Sequence, residues 1–141
     1  MKTISRRARN KKITLYNLVS SAAGVSTFQR TVINRVYLDT GYAQRLSSRG
    51  VATQDKAQLI IDLRDMATTS NRAFMPYKDW AALTDKAGHF TFNAGGDFFV
   101  EEEVTDELPA MTKQQMQVKY PCFSVASVAD PADNLLQIIG R

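Results

Sequence analysis

About six short stretches of this chain carry the two-residue period of a β-strand and one carries the period of a helix, in an order without regular strand-helix alternation. Parallel sheets need such alternation, because each crossover takes a helix, so an antiparallel architecture is expected. The fold class that follows is mainly β: a small antiparallel β-barrel or sandwich with one short helical insertion, a long loop and a basic N-terminal arm.

Residues 13 to 19, ITLYNLV, and 27 to 39, TFQRTVINRVYLD, read as two strands joined by a flexible hairpin loop around Gly24. In the second, Val32, Asn34 and Val36 alternate with Ile33, Arg35 and Tyr37, the period of a strand with one wetter face. QLIIDLR, residues 58 to 64, continues through Leu59, Ile61 and Leu63. HFTFN, residues 89 to 93, sets Phe90 and Phe92 before a turn at Ala94-Gly95-Gly96, and DFFVEEEV follows with Phe98, Val100 and Glu102 on one face. The last stretch, FSVASVADPADNLLQIIGR, reads as a hairpin, with Phe123 and Val125, a turn block from Asp130 to Asn134, and Leu135, Leu136, Ile138 and Ile139.

The helical period lies in MPYKDWAALTDKAG, where Pro76 suits a first turn, Trp80, Leu83 and Ala87 share a face, and Gly88 is the natural stop. Residues 104 to 117 are mixed, Pro109 interrupts them, and TKQQMQ is too short to assign. Residues 40 to 57 form a long loop displaying Arg45 and Arg49, with Asp55 as a late acid. The domain reading is an arm at 1–12 and a single β-barrel domain at 13–141, with an insertion at about 65–93 that holds the helix.

A chain of 141 residues with 44% hydrophobic and 23% charged residues can fold around one core without disulfides or metal. The single Cys122 cannot make an internal disulfide, no apolar run approaches the length of a membrane span, and the basic start lacks the apolar region of a secretion signal. Intracellular synthesis and folding are expected. Charge is uneven: Lys2, Arg6, Arg7, Arg9, Lys11 and Lys12 are six of the 18 basic residues, leaving 12 basic and 14 acidic residues, a net −2, on the rest. A cationic arm of this kind attracts polyanions by counterion release, or is a solvated tail that binds nothing in particular.

Residue types for catalysis are sparse. His89 is the only histidine and stands beside a Phe-rich strand, where a surface or core role is the ordinary one. Cys122 has no second cysteine and no nearby basic cluster, so a buried inert thiol is expected. Glu101 and Glu103 share a strand face opposite Glu102, which describes a solvated or interface-facing edge better than a cation cage. Gly95-Gly96-Asp97 lacks the Lys-Ser/Thr pair of a phosphate loop and reads as a tight turn. Phe90, Phe92, Phe98 and Phe99 could stack bases, yet no Lys or Arg interleaves them, and a core role is favoured. Trp80 docks the helix onto the sheet. No enzyme activity, cofactor or metal is expected.

Three patterns in the last third, Gly96-Asp97-x-x-Val100, Tyr120-x-x-x-Ser124-Val125-x-x-Val128-x-Asp130-Pro131 and Leu136-x-Ile138-x-Gly140, resemble the small head-closure, or stopper, proteins of long-tailed bacteriophages. ITLYN, TFQRTVINRVYL and LIIDL stand where that family has its first three strands. The basic arm and the insertion around Trp80 depart from the short stopper pattern. The resemblance implies a structural protein of the virion neck, made in the host cytoplasm, that forms a homo-oligomeric ring between the portal or its adaptor and the tail and retains packaged double-stranded DNA. It implies a channel-facing loop with Arg45 and Arg49 toward the DNA, the alternative being an ordinary mobile surface loop. The arm of Lys2, Arg6, Arg7, Arg9, Lys11 and Lys12 would contact a partner subunit or the portal. Two alternatives are a small barrel that binds cellular nucleic acid, which the basic arm favours and the net −2 body does not, and another minor structural or tail-completion phage protein.

Overall fold

The computed structural model describes residues 7–22, 25–40, 57–105, 113–132 and 134–141. Among the described residues the fold is mainly β, and six strands close into an antiparallel barrel. Around the barrel the order is β1 (Lys11–Ala22), β7 (Phe98–Glu101), β8 (Cys122–Ala132), β9 (Leu135–Gly140), β3 (Ala57–Asp62) and β2 (Val25–Asp39), and β2 pairs back with β1 to close it. Closure leaves the wall without the open edges of a flat sheet.

The pleat sorts the side chains into two layers. Ile13 and Leu15 from β1, Ile33 and Val36 from β2, Leu59 and Ile61 from β3, Phe99 from β7, Phe123 and Val125 from β8, and Leu136 and Ile138 from β9 fill the interior. The alternate residues Tyr16, Phe98 and Val100 face outward and are buried with Val104 and Met116 in a second apolar cluster. Tyr16 stacks on Phe98 at 4.9 Å, and Phe28 meets Phe98 edge-on at 5.5 Å. Met116 comes from helix α2 (Lys113–Lys119), which lies in the stretch that sequence left unassigned.

The regular alternation expected in β2 breaks at Arg35. Lys11 pairs with Val36 and Lys12 with Asn34, so Arg35 is an extra residue in the ladder, and its φ of 60° is left-handed. For a non-glycine residue that conformation costs about 1–2 kcal/mol. The slip offsets the cost by placing Ile33 and Val36, three residues apart, on the same interior face. On a regular strand one of them would point outward.

The insertion is more than a helix. It contains β4 (Ala67–Thr68), which pairs antiparallel with β2, a 3-10 turn at Thr69–Asn71, β5 (Ala73–Phe74), helix α1 (Tyr77–Ala81) and β6 (His89–Phe90), paired in parallel with β5. The expected helix through Leu83 to Gly88 stops at Ala81. Its last turn tightens, with the Ala82 amide donating to Asp79 and the Leu83 amide to Trp80, and the Asp85 carboxyl then captures the Ala87 amide at 3.0 Å. Trp80 is 1% exposed and donates its indole N–H to the His89 carbonyl at 3.3 Å, so it docks as expected. HFTFN is strand only at His89 and Phe90, while Phe90 and Phe92 belong to the interior cluster.

Candidate functional site

β7 is four residues long, whereas its neighbours β1 and β8 have twelve and eleven. The space before β7 is taken by the turn at Gly95-Gly96-Asp97, held by one side chain. Asp97 is 2% exposed; its carboxyl accepts from the Asn17 amide group at 2.8 Å, the Leu18 backbone N–H at 2.8 Å and the Asn93 backbone N–H at 2.9 Å. Asn17 also donates to the Thr91 carbonyl at 2.6 Å. Gly96 has φ of 149°, and a Cβ there would stand 2.7 Å from the Leu18 side chain. Gly95-Gly96-Asp97 is therefore a tight turn whose acid ties β1 to the strand that follows.

A second charged assembly sits where β1 begins. Arg9 is 7% exposed; its guanidinium donates to the Asp65 carboxyl at 2.9 Å and the Asp65 carbonyl at 3.0 Å. Arg35 brings its Nε within 3.3 Å of the other Asp65 oxygen, an ion pair without hydrogen-bond geometry. Arg64 folds back on Asp62 through its backbone N–H at 3.0 Å and its guanidinium at 3.2 Å. Burial pushes the Asp62 carboxyl up, but the Arg64 hydrogen bonds and charge, with the charge of Arg9, outweigh it and hold the group below its ordinary value of 3.8. A carboxyl lowered on folding adds stability above the unfolded value, and that stability is lost as pH falls through the folded one. The expected result is that Asp62→Asn lowers the melting temperature at about pH 6, and that its gap to the parent narrows at about pH 3. A gap that stays constant between the two would contradict the assignment.

Along the same rim a groove is lined by Asn10, Lys11, Lys12, Glu101, Glu102 and Glu103. Lys11 stands 3.9 Å from Glu101 and Lys12 3.7 Å from Glu103, both with half-exposed lysines, a geometry that contributes little to stability. Glu102 is not on the face of Phe98 and Val100 as the alternation suggested. It lies past β7 with φ of 75°, and its N–H donates to the Lys12 carbonyl at 2.9 Å. Among the described residues no group of three or more His, Cys, Asp or Glu is placed to hold a metal ion.

The expected site residues fare differently. Arg45, Arg49, Lys2 and Arg6 lie outside the described residues. Arg7 is exposed, but Arg9 is buried in its ion pair, and Lys11 and Lys12 open β1. The solvated arm expected over residues 1 to 12 is thus corrected from Arg9 onward, because Asp65 supplies the countercharge that composition alone does not place beside it. Cys122, expected buried, is half-buried beside the outer cluster. The four phenylalanines are core residues.

These features define a small closed antiparallel barrel in which Arg9, Arg35, Asp62, Arg64, Asp65 and Asp97 are engaged in holding its ends. The chain belongs to a family of unknown function, DUF6751, whose sequence pattern matches residues 8–137. That span starts just ahead of Arg9 and takes in every barrel strand but the second half of β9. No curated protein and no solved structure matches the chain.

Proposed function

We propose that this chain is a structural subunit of a tailed-phage neck, a ring-forming head-closure or head-tail connector protein that joins the portal to the tail and helps retain packaged DNA. One observation carries the reading. Each piece of sequence that resembles the stopper family falls on a barrel strand or the residues that lead into or out of it: ITLYN on β1, TFQRTVINRVYL on β2, LIIDL on β3 and the residue after it, Gly96-Asp97-x-x-Val100 on the turn into β7 and β7 itself, and the two C-terminal patterns on the approach to β8, β8 and β9. The function so proposed is non-catalytic, without cofactor, and its site of action is the virion.

The nucleic-acid-binding alternative loses ground with the arm. Arg9, Lys11 and Lys12 face Asp65, Glu101 and Glu103 of their own chain, which reduces the positive charge available to a polyanion. Arg45 and Arg49 remain the candidates to face DNA in the ring channel.

The test is deletion of the gene from the phage or prophage that carries it. The expected result is a lysate in which DNA-emptied heads and unattached tails accumulate under the electron microscope, with infectivity restored by the gene supplied in trans. Normal infectious particles from the deletion, or a gene found outside any phage or prophage, would overturn the reading.

A further inference from the structure

The first two strands run well beyond the barrel. β1 pairs with β7 only from Ile13 to Tyr16, and β2 pairs with β3 and β4 only from Ile33 to Asp39, yet the two stay paired with each other as far as Ala22 and Val25. Leu18–Ala22 and Val25–Phe28 therefore form a ribbon with no third strand on either edge among the described residues. At about 3.3 Å per residue it extends ~20 Å past Tyr16, as far as Ala22. Its base is fastened, with the Leu18 N–H on the Asp97 carboxyl and the Phe28 ring against Phe98. Farther out, Val19 is 44% exposed and Thr27 is exposed.

Between Lys12 and Arg30 there is no charged residue and no proline. Exposed strand edges are ordinarily blunted by Lys, Pro or inward charge, and a two-stranded ribbon is marginal in water without a third strand. This edge carries none of those three, and a register shift between Leu18 and Ser20 leaves Val19 as a bulged residue near the ribbon's base. The chain has a net charge of +4, so two copies approaching at random repel each other, whereas the ribbon brings no like charges together when it meets itself.

We propose that the ribbon is the contact between copies of this chain, the outer edge of β1 in one copy adding to the outer edge of β2 in the next, so that β2 and β1 alternate in antiparallel order across the junction. Only the head-to-tail sense of this contact rests on the ring reading above; a contact of that sense repeats and closes into a ring when its rotation allows.

The test uses the full chain. Sedimentation equilibrium of the parent should show association that rises with concentration, and Val19→Lys with Thr27→Lys should abolish it while circular dichroism and melting temperature stay at parental values. In a Cys122→Ser background, mixing Val19→Cys with Thr27→Cys should give a disulfide between the two variants under oxidation, in preference to pairs of one variant with itself. A parent that stays monomeric throughout overturns the proposal, with the neck reading still open to the deletion experiment. Equal association of parent and lysine variant also overturns it and places the contact elsewhere on the barrel. Disulfides formed only within one variant overturn the head-to-tail sense.

Discussion

Asp97→Asn is expected to lower stability by about 3 kcal/mol. Both carboxyl oxygens accept, one from Leu18 and the other from Asn17 and Asn93. An asparagine of the same size has one acceptor end, so its amide group must face a buried N–H on the other side. Each orphaned donor costs about 1–3 kcal/mol, and the site is 2% exposed, so water cannot substitute. Thermal denaturation should show a loss on the order of 10 °C. Asn17→Ala should be non-additive with it, because both remove members of one network. A loss within experimental error would mean that the turn into β7 holds without its acid.

The second large effect is expected at Gly140. A Cβ there would stand 2.9 Å from the Phe123 Cβ and 2.9 Å from the Phe99 ring edge, and those two rings are stacked at 5.6 Å inside the barrel. The backbone cannot retreat, since Arg141 and Ser124 exchange two hydrogen bonds at 2.8 and 3.0 Å immediately beyond. Gly140→Val should cost about 3 kcal/mol through overpacking. Trimming the neighbour in a Gly140→Ala, Phe99→Leu double variant should recover part of the loss that Gly140→Ala shows alone. If Gly140→Val melts with the parent, the last strand is not packed against Phe99 and Phe123 as described. The close packing of β9 thus has a concrete cause, a glycine that lets the strand pass close over two aromatic rings.

Much of the barrel was legible because each of its strands carries its own period. β1, β2, β3, β8 and β9 overlap the stretches read from alternation, but β1 and β2 run on to Ala22 and from Val25 into the expected loop around Gly24, and β8 runs to Ala132 into the expected turn block; the turn at Gly95-Gly96 was marked by residue type alone. What could not be read depends on partners distant in sequence. The bulge at Arg35 is visible only in the register against Lys11 and Lys12, although a strand placing Ile33 and Val36 three residues apart was a hint of it. Burial of Arg9 needs Asp65, 56 residues away. The DLRD run at residues 62 to 65 was the local signal, two acids around one arginine, that further cations would be drawn in. Helix α1 was overextended because Leu83 and Ala87 satisfied the spacing while Asp85 supplied a competing turn. The ribbon was missed for another reason: the absence of charge between Lys12 and Arg30 is a signal only once the strands are known to outrun their neighbours.

The central claim is that this barrel is a component of the virion neck, and the most direct measurement is quantitative mass spectrometry of purified particles, with the chain counted against the portal protein of the same particles. The account predicts a constant, low ratio to the portal, as for one ring at one vertex, which persists through washing in high salt. A chain absent from the particles, or present in proportion to the major capsid protein, would contradict it.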